Sequence, residues 1–187
     1  MTAAEKGSRP KVGLALAGGG PLGAIYEIGA LCALQEALPG LDLVALDGYV
    51  GVSAGSFIAA GLANGMTPRR LCAAFITNDA PRTDLVDPAT FMRPAWREFA
   101  RRAAALPGLT LQAAWQVMVG AQPGLAAGER LGRALPTGLF DHAPIEAAVR
   151  RLLDHDGRSD DFRQLGRRLV LVATDLDRGT AAPFGLP

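Results

Sequence analysis

The chain has 187 residues, 49% of them hydrophobic and 20% charged, and its 19 basic side chains nearly cancel 18 acidic ones for a formal net charge of +1. That balance suits one compact domain of the usual roughly 100–200 residues, and it gives no electrostatic reason to expect a nucleic acid as partner. With 23 Gly and 13 Pro the chain stays below low-complexity composition, so disorder, a collagen-like repeat and a basic nucleic-acid-binding tail are excluded.

Residues 1–11 are polar, lack the apolar core of a signal peptide, and read as a flexible N-terminal segment ahead of a single domain over 12–187. Residues 12–17 (VGLALA) form a short apolar run ending in Gly18-Gly19-Gly20, the pattern of a buried strand feeding a tight turn. Apolar residues then recur three or four apart at Ile25, Ile28, Leu31, Leu34 and Leu38, which predicts an amphipathic helix over 22–38 stopped by Pro39-Gly40. A second apolar run over 41–50 reads as a strand, and residues 54–63, small and apolar all round, as a buried helix ending near Asn64-Gly65. Thr67 and Pro68 are an N-cap and a first helical residue for a further helix reaching about Thr77. Strand, helix, strand, helix in that order argues for an α/β fold with a mainly parallel sheet.

Residues 78–140 differ in texture. Helical pieces at 94–106 and 110–119 are broken by Pro81, Pro88, Pro107, Pro123 and Pro136, as expected of a helical insertion or cap. Asp141 can then cap a helix over 143–153, residues 168–174 (RLVLVAT) are a clear strand, and Asp177-Arg178-Gly179 turns the chain into an antiparallel strand over 180–184. Cys32 and Cys72 show no CxxC or Cys/His spacing and read as two buried reduced thiols. No run of about 18 apolar residues exists, so no transmembrane helix is expected, and the chain reads as soluble and cytoplasmic with peripheral membrane contact left open.

Two turns carry the chemistry. Gly51-Val52-Ser53-Ala54-Gly55 has the G-x-S-x-G pattern between an apolar strand and an apolar helix, the setting a nucleophile elbow demands. Such a turn holds Ser53 in a strained conformation while small neighbours let the backbone pass close by, and its hydroxyl projects near a helix N-terminus that favours a developing anion. Gly18-Gly19-Gly20-Pro21-Leu22-Gly23 likewise follows a strand and opens a helix, so its backbone N–H groups can converge on an anion. Pro21 has no N–H, which leaves the donors to the glycines. On neighbouring parallel strands the two turns would face each other at the carboxyl edge of the sheet, where open α/β sheets place ligand sites.

The pair GGGPLG and GVSAG, about thirty residues apart, resembles the patatin-like phospholipase family, with looser likeness in DGYVGVSAGSFIAAGLANG, GLFDHAPIEAAVRRLL and LVLVATDLDRGTAAPFG. The resemblance implies a three-layer α/β/α fold and lipid-ester hydrolysis by a Ser–Asp dyad without histidine. By position it makes Ser53 the nucleophile and Gly18, Gly19 and Gly20 the oxyanion loop, with Gly23, Gly51 and Gly55 completing the motifs. The family's dyad Asp sits in an Asp-Gly-Gly or Asp-Gly-Ala motif downstream of the serine. Asp47-Gly48 precedes the serine, and Asp156-Gly157 is followed by Arg. No residue is therefore assigned as general base, and the expectation is an N-terminal piece of a longer enzyme. A lipid ester is the expected substrate, and no metal or organic cofactor is implied.

Three alternatives stay open. A Ser-His-Asp triad would have to use His142 or His155, both of which read more simply as helix-end residues. Gly18, Gly20 and Gly23 also satisfy the G-x-G-x-x-G of dinucleotide binding, which would want Asp42 or Asp47 at the end of the second strand. A patatin-like domain without its base could instead serve as a lipid-binding module. Finally, Arg93, Arg97 and Arg101 stand at four-residue steps opposite Trp96, Phe99 and Ala103. That pattern suits an ordinary helix with its aromatics in the core, or a basic helix lying on an anionic membrane.

Overall fold

Each of the first two strands ends in glycine-rich backbone that turns into a helix, and the chain returns through that helix to lay the next strand parallel to the last. The computed structural model describes residues 10–87, 90, 93–96, 99–101, 104, 108, 111, 141–155 and 157–186. In chain order it contains β1 (Gly13–Leu16), α1 (Gly20–Ala37), β2 (Gly48–Val52), α2 (Ala54–Ala63), α3 (Pro68–Cys72), a π-helical turn (Ala73–Thr77), α4 (Ala143–Leu153), a 3-10 turn (Phe162–Gln164), β3 (Arg168–Asp175) and β4 (Thr180–Phe184). The sheet order is β1-β2-β3-β4, with β1, β2 and β3 parallel and β4 antiparallel to β3. This is the mixed α/β architecture with a mainly parallel central sheet that the element order predicts. The chain divides into two compact units, Met1–Pro88 with Glu146–Pro187, and Ala89–Ile145.

Within the first unit, Ile28 and Leu31 of α1, Ile58, Ala59 and Leu62 of α2, and Met66 and Leu71 are buried, with Tyr49 and Leu169 contributed by the sheet. Residue alternation puts Tyr49 and Gly51 in the buried layer and leaves Val50 and Val52 exposed on the opposite face of β2. Helix α1 departs from its expected pattern: Ile25 and Leu34 are exposed, as are Leu22 and Tyr26. The helix is apolar around most of its circumference, so periodicity alone did not single out the covered face. Cys32 and Cys72 are half-buried free thiols rather than fully buried ones, and burial together with the neighbouring Cys72 pushes the Cys32 thiol up.

The apolar run over 41–50 is a strand only from Gly48. Leu43 and Leu46 are buried, but as a loop wrapped on the Tyr49 hydroxyl, which donates to the Leu43 carbonyl at 2.9 Å and accepts from the Leu46 N–H at 3.2 Å. Polar pairing that a sheet would otherwise supply comes here from one side chain. The helix after Thr67 also ends early as an α-helix. Thr67 Oγ1 accepts from the Arg70 N–H as an N-cap should, but the Ala74 carbonyl accepts from the Val86 N–H at 3.1 Å. A continuing α-helix would give that carbonyl to Asn78, whose backbone is left-handed at φ 56°.

The loop carrying Val86 is held by Asp84, which is 1% exposed. Its carboxylate accepts from Arg158 Nη1 and Nη2 at 2.9 and 3.0 Å and from Arg70 Nε at 2.8 Å. These bonds, those from Arg158 foremost, hold the Asp84 carboxyl below the usual carboxylate range against the opposing effect of burial. Asn64 ties the same region together: its Nδ2 donates to the Ala60 carbonyl while its Oδ1 accepts from the Ser159 N–H at 2.7 Å.

In the second unit, Asp141 Oδ1 accepts from the Ala143 N–H at 3.0 Å, so the expected cap of α4 forms. Trp96 is 72% exposed rather than a core aromatic, with its ring 6.1 Å from that of Phe99. Arg97, Ala103 and most of the helical pieces expected at 94–106 and 110–119 lie outside the described residues. No helix among the described residues is long and apolar enough to cross a membrane.

Two stability measurements follow from these contacts. Tyr49→Phe should cost about 1–3 kcal/mol in urea unfolding, because it leaves a buried carbonyl and N–H without their shared partner. Asp84→Asn should cost about 3–5 kcal/mol at neutral pH, since Arg158 is then a buried charge without its counterion. Because the folded-state pKa of Asp84 is depressed, its contribution is complete above the unfolded value of about 3.9 and is lost as pH falls through the folded one. The stability gap between parent and Asp84→Asn should thus hold from pH 7 to about 4 and narrow below it.

Candidate active site

Ser53 stands between β2 and α2 with φ 51° and ψ −121°, a combination that costs a non-glycine residue on the order of 1–3 kcal/mol and persists only where the surroundings enforce it. Here the enforcement is visible. A Cβ on Gly51 would lie 2.6 Å from the Ser56 Cα, and one on Gly55 would lie 2.5 Å from the Ala17 carbonyl oxygen. Both positions must be glycine for the chain to leave β2, reverse and start α2 in so little space. The Ser53 side chain makes no cap on its own helix, and the residue is exposed.

The glycine turn after β1 lies directly against it. β1 and β2 are paired in parallel through Leu16↔Gly51, so their carboxyl ends emerge side by side. A Cβ on Gly18 would lie 3.1 Å from the Ser53 Cβ and 3.7 Å from its Oγ. The Ala17 carbonyl accepts from the Gly55 N–H at 3.1 Å, which locks the two turns together. Gly19 and Gly20 follow with φ 155° and 60°, and the Gly23 N–H closes the first turn of α1 onto the Gly19 carbonyl at 3.0 Å. Among the described residues no hydrogen bond takes up the Gly18 or Gly19 N–H. Of the first N–H groups of α2, that of Gly55 goes to Ala17 and that of Ser56 to the Ser53 carbonyl. The structure thus brings Ser53, Gly18, Gly51 and Gly55 together, with Gly19, Gly20 and Gly23 continuing from Gly18 at the start of α1.

The family profile described as patatin-like phospholipase matches residues 14–185. The chain belongs to the patatin-like phospholipase family. A solved structure of the type III effector protein ExoU is 21% identical over 94% of this patatin-like chain and 36% of its own, with a TM-score of 0.40. The heterodimeric ExoU–SpcU complex from the type III secretion system of Pseudomonas aeruginosa is 23% identical, covering 94% of this chain and 33% of that one at a TM-score of 0.35. The chain therefore spans about a third of the length of those two solved proteins. No curated protein matches it.

Asp47 precedes β2 and its Oδ2 accepts from the Val12 N–H at 2.8 Å, at the amino end of the sheet, while Asp42 Oδ1 caps the Val44 N–H in the preceding loop. Neither stands at the carboxyl end of β2, where a dinucleotide ribose would need it, because β2 begins only at Gly48. His142 is exposed just before α4. His155 is less solvated than its place at a helix end suggests: its Nε2 is buried and lies 3.9 Å from Asp84 Oδ1. Among the described residues no hydrogen bond joins His155 to Ser53. Asp175, at the end of β3, uses Oδ1 to accept from the Asp177 and Arg178 N–H groups of the following turn.

One residue at the site was missed in the sequence. Glu27 Oε1 accepts from the Ala17 N–H at 2.7 Å, immediately before the glycine turn. It is the one charged side chain in the first 16 residues of α1 (Gly20 to Gln35), and that isolation was the available signal.

The contact between the two turns has a direct test. Gly55→Ala should cost about 1–3 kcal/mol of stability in urea unfolding, because the added methyl must push α2 away from the end of β1. An unchanged unfolding midpoint would mean that the two turns do not meet this closely.

Proposed function

We propose that this chain is the serine-bearing part of a lipid acyl hydrolase, with Ser53 as nucleophile and Gly18, Gly19 and Gly20 as the oxyanion loop. The observation that carries this is the backbone of Ser53, held at φ 51° and ψ −121° with Gly18 packed against its side chain. Strain of this kind serves to expose a hydroxyl at a strand-to-helix turn, and glycine N–H groups beside it are placed to meet negative charge.

The chemistry runs as acyl transfer. The Ser53 Oγ attacks the ester carbonyl carbon and gives up its proton to a base, while the carbonyl oxygen becomes an oxyanion. N–H donors on that oxyanion are worth roughly 3–4 kcal/mol of barrier each when they are preorganised. Collapse of the tetrahedral species expels the alcohol with a proton and leaves an acyl-serine, which water then hydrolyses to the fatty acid. In the family resemblance the base is an aspartate; no residue of this chain is assigned that role.

Support for a lipid ester comes from the surface beside the loop. Leu22 and Tyr26, on the first two turns of α1, are 80% and 76% exposed, and Ile25 between them is 42% exposed. An apolar strip that begins two residues after Gly20 suits an acyl chain better than a charged small molecule.

A fluorophosphonate probe read by intact mass tests the nucleophile. One adduct is expected on the folded chain and none on Ser53→Ala, with circular dichroism showing both variants folded. A folded parent that takes no probe, or an adduct that survives in Ser53→Ala, overturns the assignment of Ser53.

A further inference from the structure

Ala17 is gripped from both sides. Its N–H donates to Glu27 Oε1 at 2.7 Å, and its carbonyl accepts from the Gly55 N–H at 3.1 Å. The next residue is Gly18, the one that lies against Ser53. One residue therefore links α1, the start of α2 and the glycine turn, and the α1 end of that link is a carboxylate.

A carboxylate is a costly acceptor for this place. Burial pushes the Glu27 carboxyl above its ordinary range, and the bond from Ala17 pulls only partly the other way. The second oxygen, Oε2, is buried and has no hydrogen-bond partner among the described residues. If α1 needed only to be fastened to the end of β1, a neutral acceptor would do so with less desolvation. A charged acceptor makes a shorter bond, about twice as strong as a neutral one, and so a stiffer tether.

We propose that Glu27 is a positioning residue for acyl transfer: by holding the Ala17 N–H it sets where the Gly18, Gly19 and Gly20 backbone stands relative to Ser53. The proposal rests on the reading of those residues as nucleophile and oxyanion loop. Glu27 acts through Ala17 and does not touch substrate. Oxyanion donors act on the transition state, so displacing them lowers the rate of acylation rather than the affinity for the ester.

Two variants test it. Glu27→Leu removes the acceptor, while Glu27→Gln keeps an amide oxygen that can still take the Ala17 N–H. Amide hydrogen exchange at Ala17 and the rate of fluorophosphonate labelling are read on each full chain. Glu27→Leu should speed exchange at Ala17 at least tenfold and slow labelling by a similar factor, with the unfolding midpoint little changed. Glu27→Gln, which keeps a weaker neutral acceptor, should fall between the parent and Glu27→Leu in both. Unchanged exchange in Glu27→Leu overturns the proposal, and so does faster exchange with undiminished labelling. If Glu27→Leu does not fold, Glu27→Gln decides, with faster Ala17 exchange and slower labelling expected together and either alone counting against it. A parent chain that takes no probe sinks the nucleophile assignment, whereas the tether is then judged on Ala17 exchange alone.

Discussion

Everything about this site depends on the meeting of two backbone segments, 17–18 after β1 and 53–55 after β2. The Ala17 carbonyl takes the Gly55 N–H, and Gly18 lies against the Ser53 side chain. Parallel pairing of β1 with β2 makes the meeting unavoidable, because both chains leave the sheet at the same edge and both must turn at once into a helix. Only glycine leaves enough room at Gly51 and Gly55 for the second turn to tuck beneath the first.

The strain at Ser53 is sustained by packing further down α2. Ile58, Ala59 and Leu62 are fully buried, so the helix cannot slide to relieve its first residue. Burial of this kind stabilises by roughly 1.5–3 kcal/mol for each large side chain, so Ile58 and Leu62 together outweigh the cost of one unfavourable backbone conformation. Asn64 then fixes the far end of the helix to the loop ahead of β3. A rigid helix anchored at both ends lets a serine at its start be both exposed and precisely oriented.

Two carboxylates, one buried and one half-buried, serve this frame in different ways. Asp84 is fully paired, by Arg158 and Arg70, and holds together segments far apart in the chain. Glu27 is half satisfied, with one oxygen on Ala17 and the other without a partner. The first is a structural clamp whose charge is compensated. The second carries an uncompensated cost at the margin of the glycine turn, and such costs are retained where geometry matters more than stability.

Much of the site was legible from local chemistry. Glycine at 18–20, 51 and 55, serine at 53, and apolar runs on either side determine two strand-to-helix turns, since few other residues could fill those positions. Thr67, Asp141 and the Asp177-Arg178-Gly179 turn were likewise readable, because capping and turn formation involve residues only a few positions apart. What the sequence did not decide was anything requiring distant partners. The run over 41–50 became a loop because the Tyr49 hydroxyl satisfied it, and the helix after Thr67 changed at Ala74 because Val86 claimed its carbonyl. The covered face of α1 was set by what packs on it, since a helix apolar around most of its circumference has no preferred side. Asp84 and Glu27 were invisible as a clamp and a tether because a charge gains such a role only from the groups that folding brings around it.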